Sequence, residues 1–210
     1  MINKSEREQI IALINREVVP AIGCTEPIAV ALCVAKATET LGQKPEKIQA
    51  LLSANILKNA MGVGIPGTGM IGLPIAIALG ALIGKSEYQL EVLKDSTPEA
   101  VEEGKKLIDS QAINIGLKYG IEEKLYIEII CEAEGKKATA IISGGHTNFV
   151  YVARGEEVLV NKQTSATDEA AADDVELTLR KVYDFATTSP IEELKFILET
   201  RNLNKKAAER

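Results

Sequence analysis

The sequence predicts an α+β fold, with helices packed on one face of a mainly antiparallel sheet. Apolar residues early in the chain recur at helical spacing, as Ile10, Ile11, Ile14 and Val18 do. Further on the period changes to two. Leu125, Ile127, Ile129 and Cys131 alternate with Tyr126, Glu128, Ile130 and Glu132. Turn pairs then follow at Glu134-Gly135, Gly144-Gly145 and Arg154-Gly155, a rhythm that suits a meander.

Each element has a local reason. Residues 5–19 read as a helix that breaks at Pro20–Gly23. A second helix starts near Thr25, whose hydroxyl can cap it, with Pro27 in the first turn where no N–H is needed. It runs through an alanine-rich stretch to about Leu41 and stops at Gly42. Lys47–Ala54 reads as a strand, Asn55–Asn59 as its polar exit, and Gly62–Gly72 as a glycine-rich loop. Leu73–Ile83 reads as a buried helix with Pro74 in its first turn, and Pro98–Asp109 as a helix capped by Thr97. Strands are expected at 123–133, 136–143, 147–153 and 156–161, and helices at 167–186 and 190–204.

Composition limits the function. The chain has 210 residues, 46% hydrophobic, and a formal net charge of −6 with both signs interspersed. That argues against nucleic acid as a partner. The apolar run Ile71–Ile83 spans 13 residues, too short for a bilayer, and the opening segment lacks a basic-then-apolar pattern. The expectation is a cytoplasmic protein with no membrane partner. Cys24, Cys33 and Cys131 are widely spaced and odd in number, which points to free thiols or metal ligands rather than a disulfide framework. No pair has the C-x₂-C spacing of a zinc or cluster motif. Aromatic residues are only 4%, so Ala, Gly, Ile and Leu must fill the core by close backbone packing.

Three segments carry chemistry-bearing residues. In Gly23-Cys24-Thr25-Glu26-Pro27 the cysteine precedes a helix start, where free N–H groups and the helix dipole favour a thiolate. Glu26 lies in the same turn as a possible acid or base. On chemistry alone a small residue packed at a helix cap is the commoner reading of such a cysteine. Asn55, Lys58 and Asn59 precede the loop Gly62–Gly69, whose glycines let backbone N–H groups close on an anion such as a carboxylate or phosphate. Gly62, Gly64 and Gly67 match a dinucleotide fingerprint only by letter, because Pro66 interrupts it and no parallel βαβ series follows. In Gly144-Gly145-His146-Thr147-Asn148 the chain's one histidine sits beside a glycine turn. It is a candidate proton shuttle, or a turn residue bonded to backbone. Cys33 and Cys131 fall on apolar faces and read as core.

Together VVPAIGCTEPIAVAL (18–32), NILKNAMGVGIPGTGMIGLPIA (55–76) with EVLKD (91–95), and GGHTN (144–148) resemble the amino-terminal half of the L-cysteine desulfidase family, relatives of the iron–sulfur serine dehydratases. The resemblance covers residues 15–200 in order and spacing. It implies that residues 1–205 are the amino-terminal domain of a longer two-domain protein, with 206–210 a polar tail or cut linker. It implies a lyase that eliminates sulfide from L-cysteine with a [4Fe–4S] cluster, giving pyruvate and ammonia. L-serine dehydratase and a non-catalytic small-molecule binding module are the alternatives. Carried over by motif, Cys24 is the cluster-ligand or catalytic-thiol candidate, and Glu26, Lys58 and His146 are further catalytic candidates. Asn55, Asn59, Gly67, Thr68, Gly69, Thr147 and Asn148 would line the site of an amino-acid substrate. The family's other cluster cysteines lie in a carboxy-terminal half with no counterpart here. The expected partners are therefore that half and further copies of the chain, with the cluster absent from this chain alone.

Overall fold

The computed structural model describes residues 2–162 and 175–209. The chain forms two compact units, a larger one beginning at Pro20 and a smaller one pairing Met1–Val19 with the carboxy-terminal segment. The larger unit is the predicted α+β fold. Its sheet has six strands in the order β4-β1-β5-β6-β7-β8. These are β1 Lys47–Leu52, β4 Ile113–Leu117, β5 Tyr126–Ala133, β6 Lys136–Ser143, β7 Phe149–Arg154 and β8 Glu157–Asn161. Strands β5 to β8 are the expected meander, and β1 joins β5 antiparallel.

Two features depart from the sequence reading. Strand β4 was not expected, and it pairs parallel with β1, Ile48 opposite Ile113 and Leu52 opposite Leu117. A parallel neighbour needs a long crossover, and the chain supplies it with α3 (Ala54–Ala60), α4 (Leu73–Leu82) and α5 (Pro98–Asp109). Helix α3 is the second departure. Asn55–Asn59 is helix, not strand exit, because Ser53 accepts the Ile56 N–H as an N-cap and Ile56 and Ala60, four apart, are buried.

Helix α2 (Thr25–Leu41) lies along the inner face of the sheet with α4 across it. It is therefore buried on nearly all sides, from Pro27 to Ala35 without a break. Small residues make that possible. A Cβ on Gly80 would lie 2.6 Å from the Ala31 carbonyl oxygen, so glycine sets the distance between α2 and α4. The inner row of β5, Ile127, Ile129 and Cys131, is fully buried under α2. Gly42, with φ 79°, ends α2 in the left-handed conformation, and its N–H donates to Thr38.

The smaller unit contains α1 (Lys4–Glu17), α6 (Leu179–Thr188), a 3₁₀ segment Ile191–Ile197 and α7 (Leu198–Ala208). Asn3 and Glu6 form a reciprocal capping box at the start of α1. The helix expected at 167–186 is seen from Leu179, with Thr178 as its cap. Residues 175–178 are non-helical, and residues 167–174 lie outside the described residues. The expected helix 190–204 begins as 3₁₀ after Pro190. Salt bridges Arg7–Glu193 (2.7 Å) and Lys181–Glu6 (3.1 Å) tie its segments together.

Candidate functional site

The chain before α2 is held by two neighbours. The Ile22 N–H donates to the Leu90 carbonyl at 3.2 Å. Gly23 has φ 85°, and a Cβ there would meet Pro66 Cγ at 2.8 Å, so only glycine lets the turn lie against the glycine-rich segment. Cys24, not Thr25, is the N-cap of α2, and its side chain makes no capping bond. The Thr25 hydroxyl reaches Glu26 instead, 3.3 Å away. The reason is register: the helix takes in Thr25 as its first residue, so its hydroxyl points along the first turn.

Glu26 is the hub. Its Oε2 accepts from the Cys24 thiol at 2.9 Å, and its Oε1 accepts from Asn59 Nδ2 at 3.3 Å. All three residues are half-buried. The Cys24 bond first, then its backbone and Asn59, hold the Glu26 carboxyl below the usual carboxylate range, and the charge of His146 adds to this. The Cys24 thiol moves the other way. Burial and then the Glu26 carboxylate raise its pKa above the ordinary thiol value. The thiolate favoured by the helix start is thus not the resting form. An adjacent anion and lost hydration outweigh the dipole, and the pair rests as thiol and carboxylate.

The glycine-rich segment is a two-stranded hairpin, β2 (Gly64–Ile65) with β3 (Met70–Ile71). Pro66 and Gly67 sit at the centre of its turn, with Gly67 at φ 77° and the Thr68 N–H donating to Ile65 at 3.2 Å. The Thr68 hydroxyl donates to the Ile65 carbonyl (2.7 Å) and accepts from the Met70 N–H (3.0 Å), so it holds the turn. A Cβ on Gly72 (φ 85°) would lie 2.7 Å from the Met61 carbonyl oxygen, which fixes the hairpin against the end of α3.

The third motif reaches the same region through backbone. The Gly144 N–H donates to Leu125, while Ser53, the cap of α3, bonds Lys124 and Tyr126. Helix α3 and the turn 144–148 therefore hang from one stretch of chain at 124–126. Asn148 bonds the Ser143 carbonyl (3.0 Å) and accepts from Lys162 (2.9 Å), which makes it a brace of its own turn. Thr147 is exposed, as are Asn55, Lys58, Gly67 and Gly69, and His146 is half-buried. Of the expected residues, Cys24, Glu26 and Asn59 are in direct contact, and His146 acts on Glu26 through its field. Pro66 and the Leu90 carbonyl were not anticipated as parts of the site. Gly23 was the available signal, since a glycine just before a helix N-cap often marks a close approach.

The implied [4Fe–4S] cluster needs about three or four thiolates. Cys33 and Cys131 are fully buried, and Cys33 Sγ donates to the Ala140 carbonyl at 3.3 Å. Among the described residues no group of three His, Cys, Asp or Glu could hold a metal ion. The side chains of this chain do not by themselves fit such a cluster. Among the described residues, likewise, no helix is long and apolar enough to cross a membrane.

Fold and site together define an α+β protein with a thiol–carboxylate–amide cluster at a helix start. Its close homologues are UPF0597 proteins. The relative from Phocaeicola vulgatus is 81% identical over 210 residues, 100% of this chain and 49% of the relative. That from Bacteroides thetaiotaomicron is 70% identical over 206 residues (98% and 48%), and that from Aeromonas hydrophila 40% over 209 (98% and 47%). The chain spans about half the length of the curated relatives it matches. No family model matches it, and no solved structure does.

Proposed function

We propose that the full-length protein is a β-eliminating lyase that releases sulfide from L-cysteine, with this chain supplying the Cys24–Glu26 centre. The contact that carries the reading is Cys24 Sγ to Glu26 Oε2 at 2.9 Å, backed by Asn59 on the other oxygen. Elimination removes the Cα proton, forms the Cα=Cβ bond and breaks the Cβ–S bond. The electron pair leaves on sulfur, which then needs a proton. A thiol kept protonated beside a carboxylate is the candidate donor of that proton, and the resulting Cys24 thiolate regains one from solvent by way of the Glu26 carboxylate. His146, whose charge acts on Glu26, is the candidate for the Cα proton, and Lys58, exposed on α3, is the second candidate. The hairpin turn at Gly67–Gly69, beside Gly23, is the candidate seat of the substrate carboxylate. The aminoacrylate product hydrolyses to pyruvate and ammonia. Any iron–sulfur cluster would draw its other ligands from outside this chain, and no step here is assigned to it.

The test is an anaerobic assay of the full-length protein for sulfide and pyruvate, with L-cysteine and L-serine in parallel. Sulfide and pyruvate in equal amounts from L-cysteine, abolished by Cys24→Ala, support the proposal. Pyruvate from L-serine alone makes it a dehydratase, and product from neither overturns the lyase reading.

A further inference from the structure

Gln89 is one of three non-glycine residues with positive φ among the described residues, and its angles, φ 50° and ψ −126°, are those a tight turn reserves for glycine. Such a conformation persists only where its surroundings impose it. They do so on both sides. Before the turn, buried Ser86 is held to Glu39 of α2 by two bonds, backbone N–H to Oε1 at 2.7 Å and hydroxyl to Oε2 at 2.5 Å. After it, Leu90, Val92 and Leu93 are buried in the core. The turn thus fixes where the Leu90 carbonyl points, and it points at the Ile22 N–H, two residues before Cys24. Cys24 is the N-cap of α2 without a side-chain capping bond, and its thiol bonds Glu26 two residues on in the first turn. The clamp at Ile22 and the contact of Gly23 with Pro66 hold the backbone that leads into that turn.

We infer that the turn at Gln89 positions the reactive pair: its backbone angles aim the Leu90 carbonyl at Ile22 and so steady the chain that carries Cys24 against Glu26. The inference rests on Cys24 being the reactive group, but its test needs no substrate, so a failed lyase assay leaves it standing. Gln89→Gly and Gln89→Val both remove the side-chain amide, and only glycine accepts the turn's angles without strain. Two quantities are read on the folded 210-residue chain. One is the rate of Cys24 alkylation at a single pH. The other is the NMR position of the Asn59 side-chain amide, which reports its bond to Glu26. Gln89→Gly should match wild type in both. Gln89→Val should raise the alkylation rate about tenfold, the scale set by releasing one such outlier, and shift the Asn59 signal. A folded Gln89→Val protein that matches wild type overturns the inference, and so does Gln89→Gly behaving like Gln89→Val. Should Gln89→Val not fold, hydrogen exchange at the Ile22 amide of wild type decides. Protection comparable to that of the buried Val92 supports the clamp, and exchange at the rate of an open loop refutes it.

Discussion

Cys24 and Cys33 ride the same helix nine residues apart, and both thiols are harder to ionise than a free cysteine. They share that direction but not their setting. Cys33 is fully buried between α2 and the sheet, with its sulfur on the Ala140 carbonyl and the thiol of Cys131 near it. Cys24 is half-buried, and its proton is held by a carboxylate that is itself bonded to Asn59. The difference separates a proton kept chiefly by burial from one kept partly by a hydrogen-bonded carboxylate. Only the second can be moved by a single side-chain change without opening the core.

The widest gap between the two settings is in access. With one small alkylating agent, Cys24 should label on the order of a thousandfold faster than Cys33 or Cys131, because those two must wait for an opening of the core. Mass spectrometry of partially labelled protein gives the order, and early labelling of either buried thiol would misplace the site. Next is the alkaline limit of stability. Burial pushes the Cys131 thiol from its ordinary value of 9.0 up to about 11. Its folded pKa is raised, so its contribution is intact below pH 9.0 and is lost as the pH rises toward 11. Unfolding free energy should fall by on the order of 2 kcal/mol across that window from this group. Urea titrations of wild type and Cys131→Ala at both ends would show the variant losing less.

A smaller effect tests the contact that brings two motifs together. Gly23→Ala places a Cβ in a left-handed turn and against Pro66. It should cost about 1–3 kcal/mol by urea denaturation. Pro66→Ala in the same chain should return part of it, and full additivity of the two changes would show that the contact does not matter.

The sequence made these regions legible to different degrees. Helices α2, α4 and α5 and the meander carry strong local signals: Gly42 as a stop, Thr97 with Pro98 as a start, and period-two alternation over Leu125–Cys131. Helix α3 has only two buried residues among polar ones, and its cap, Ser53, looks like the end of β1. Strand β4 alternates Ile113, Ile115 and Leu117, but what makes it a strand is β1, more than sixty residues earlier. The sequence put Cys24 and Glu26 in one turn and gave their types, but not their bonding to Asn59 or the charge state of the pair. The helix start predicts an acidic Cys24, and burial, followed by the Glu26 side chain turned back onto the thiol, reverses it. Thr68 and Asn148 likewise look like ligand groups by type, yet Thr68 spends its bonds on its own turn and Asn148 on Ser143 and Lys162.

The most direct measurement on the pair is the pH profile of Cys24 alkylation in wild type and Glu26→Gln. The Glu26 carboxylate, after burial, is what holds the thiol proton. The glutamine variant should therefore shift the profile to lower pH and react faster at neutral pH, while Cys33 and Cys131 stay silent. An unchanged profile, or one moved to higher pH, would contradict a reactive centre built on the Cys24–Glu26 contact.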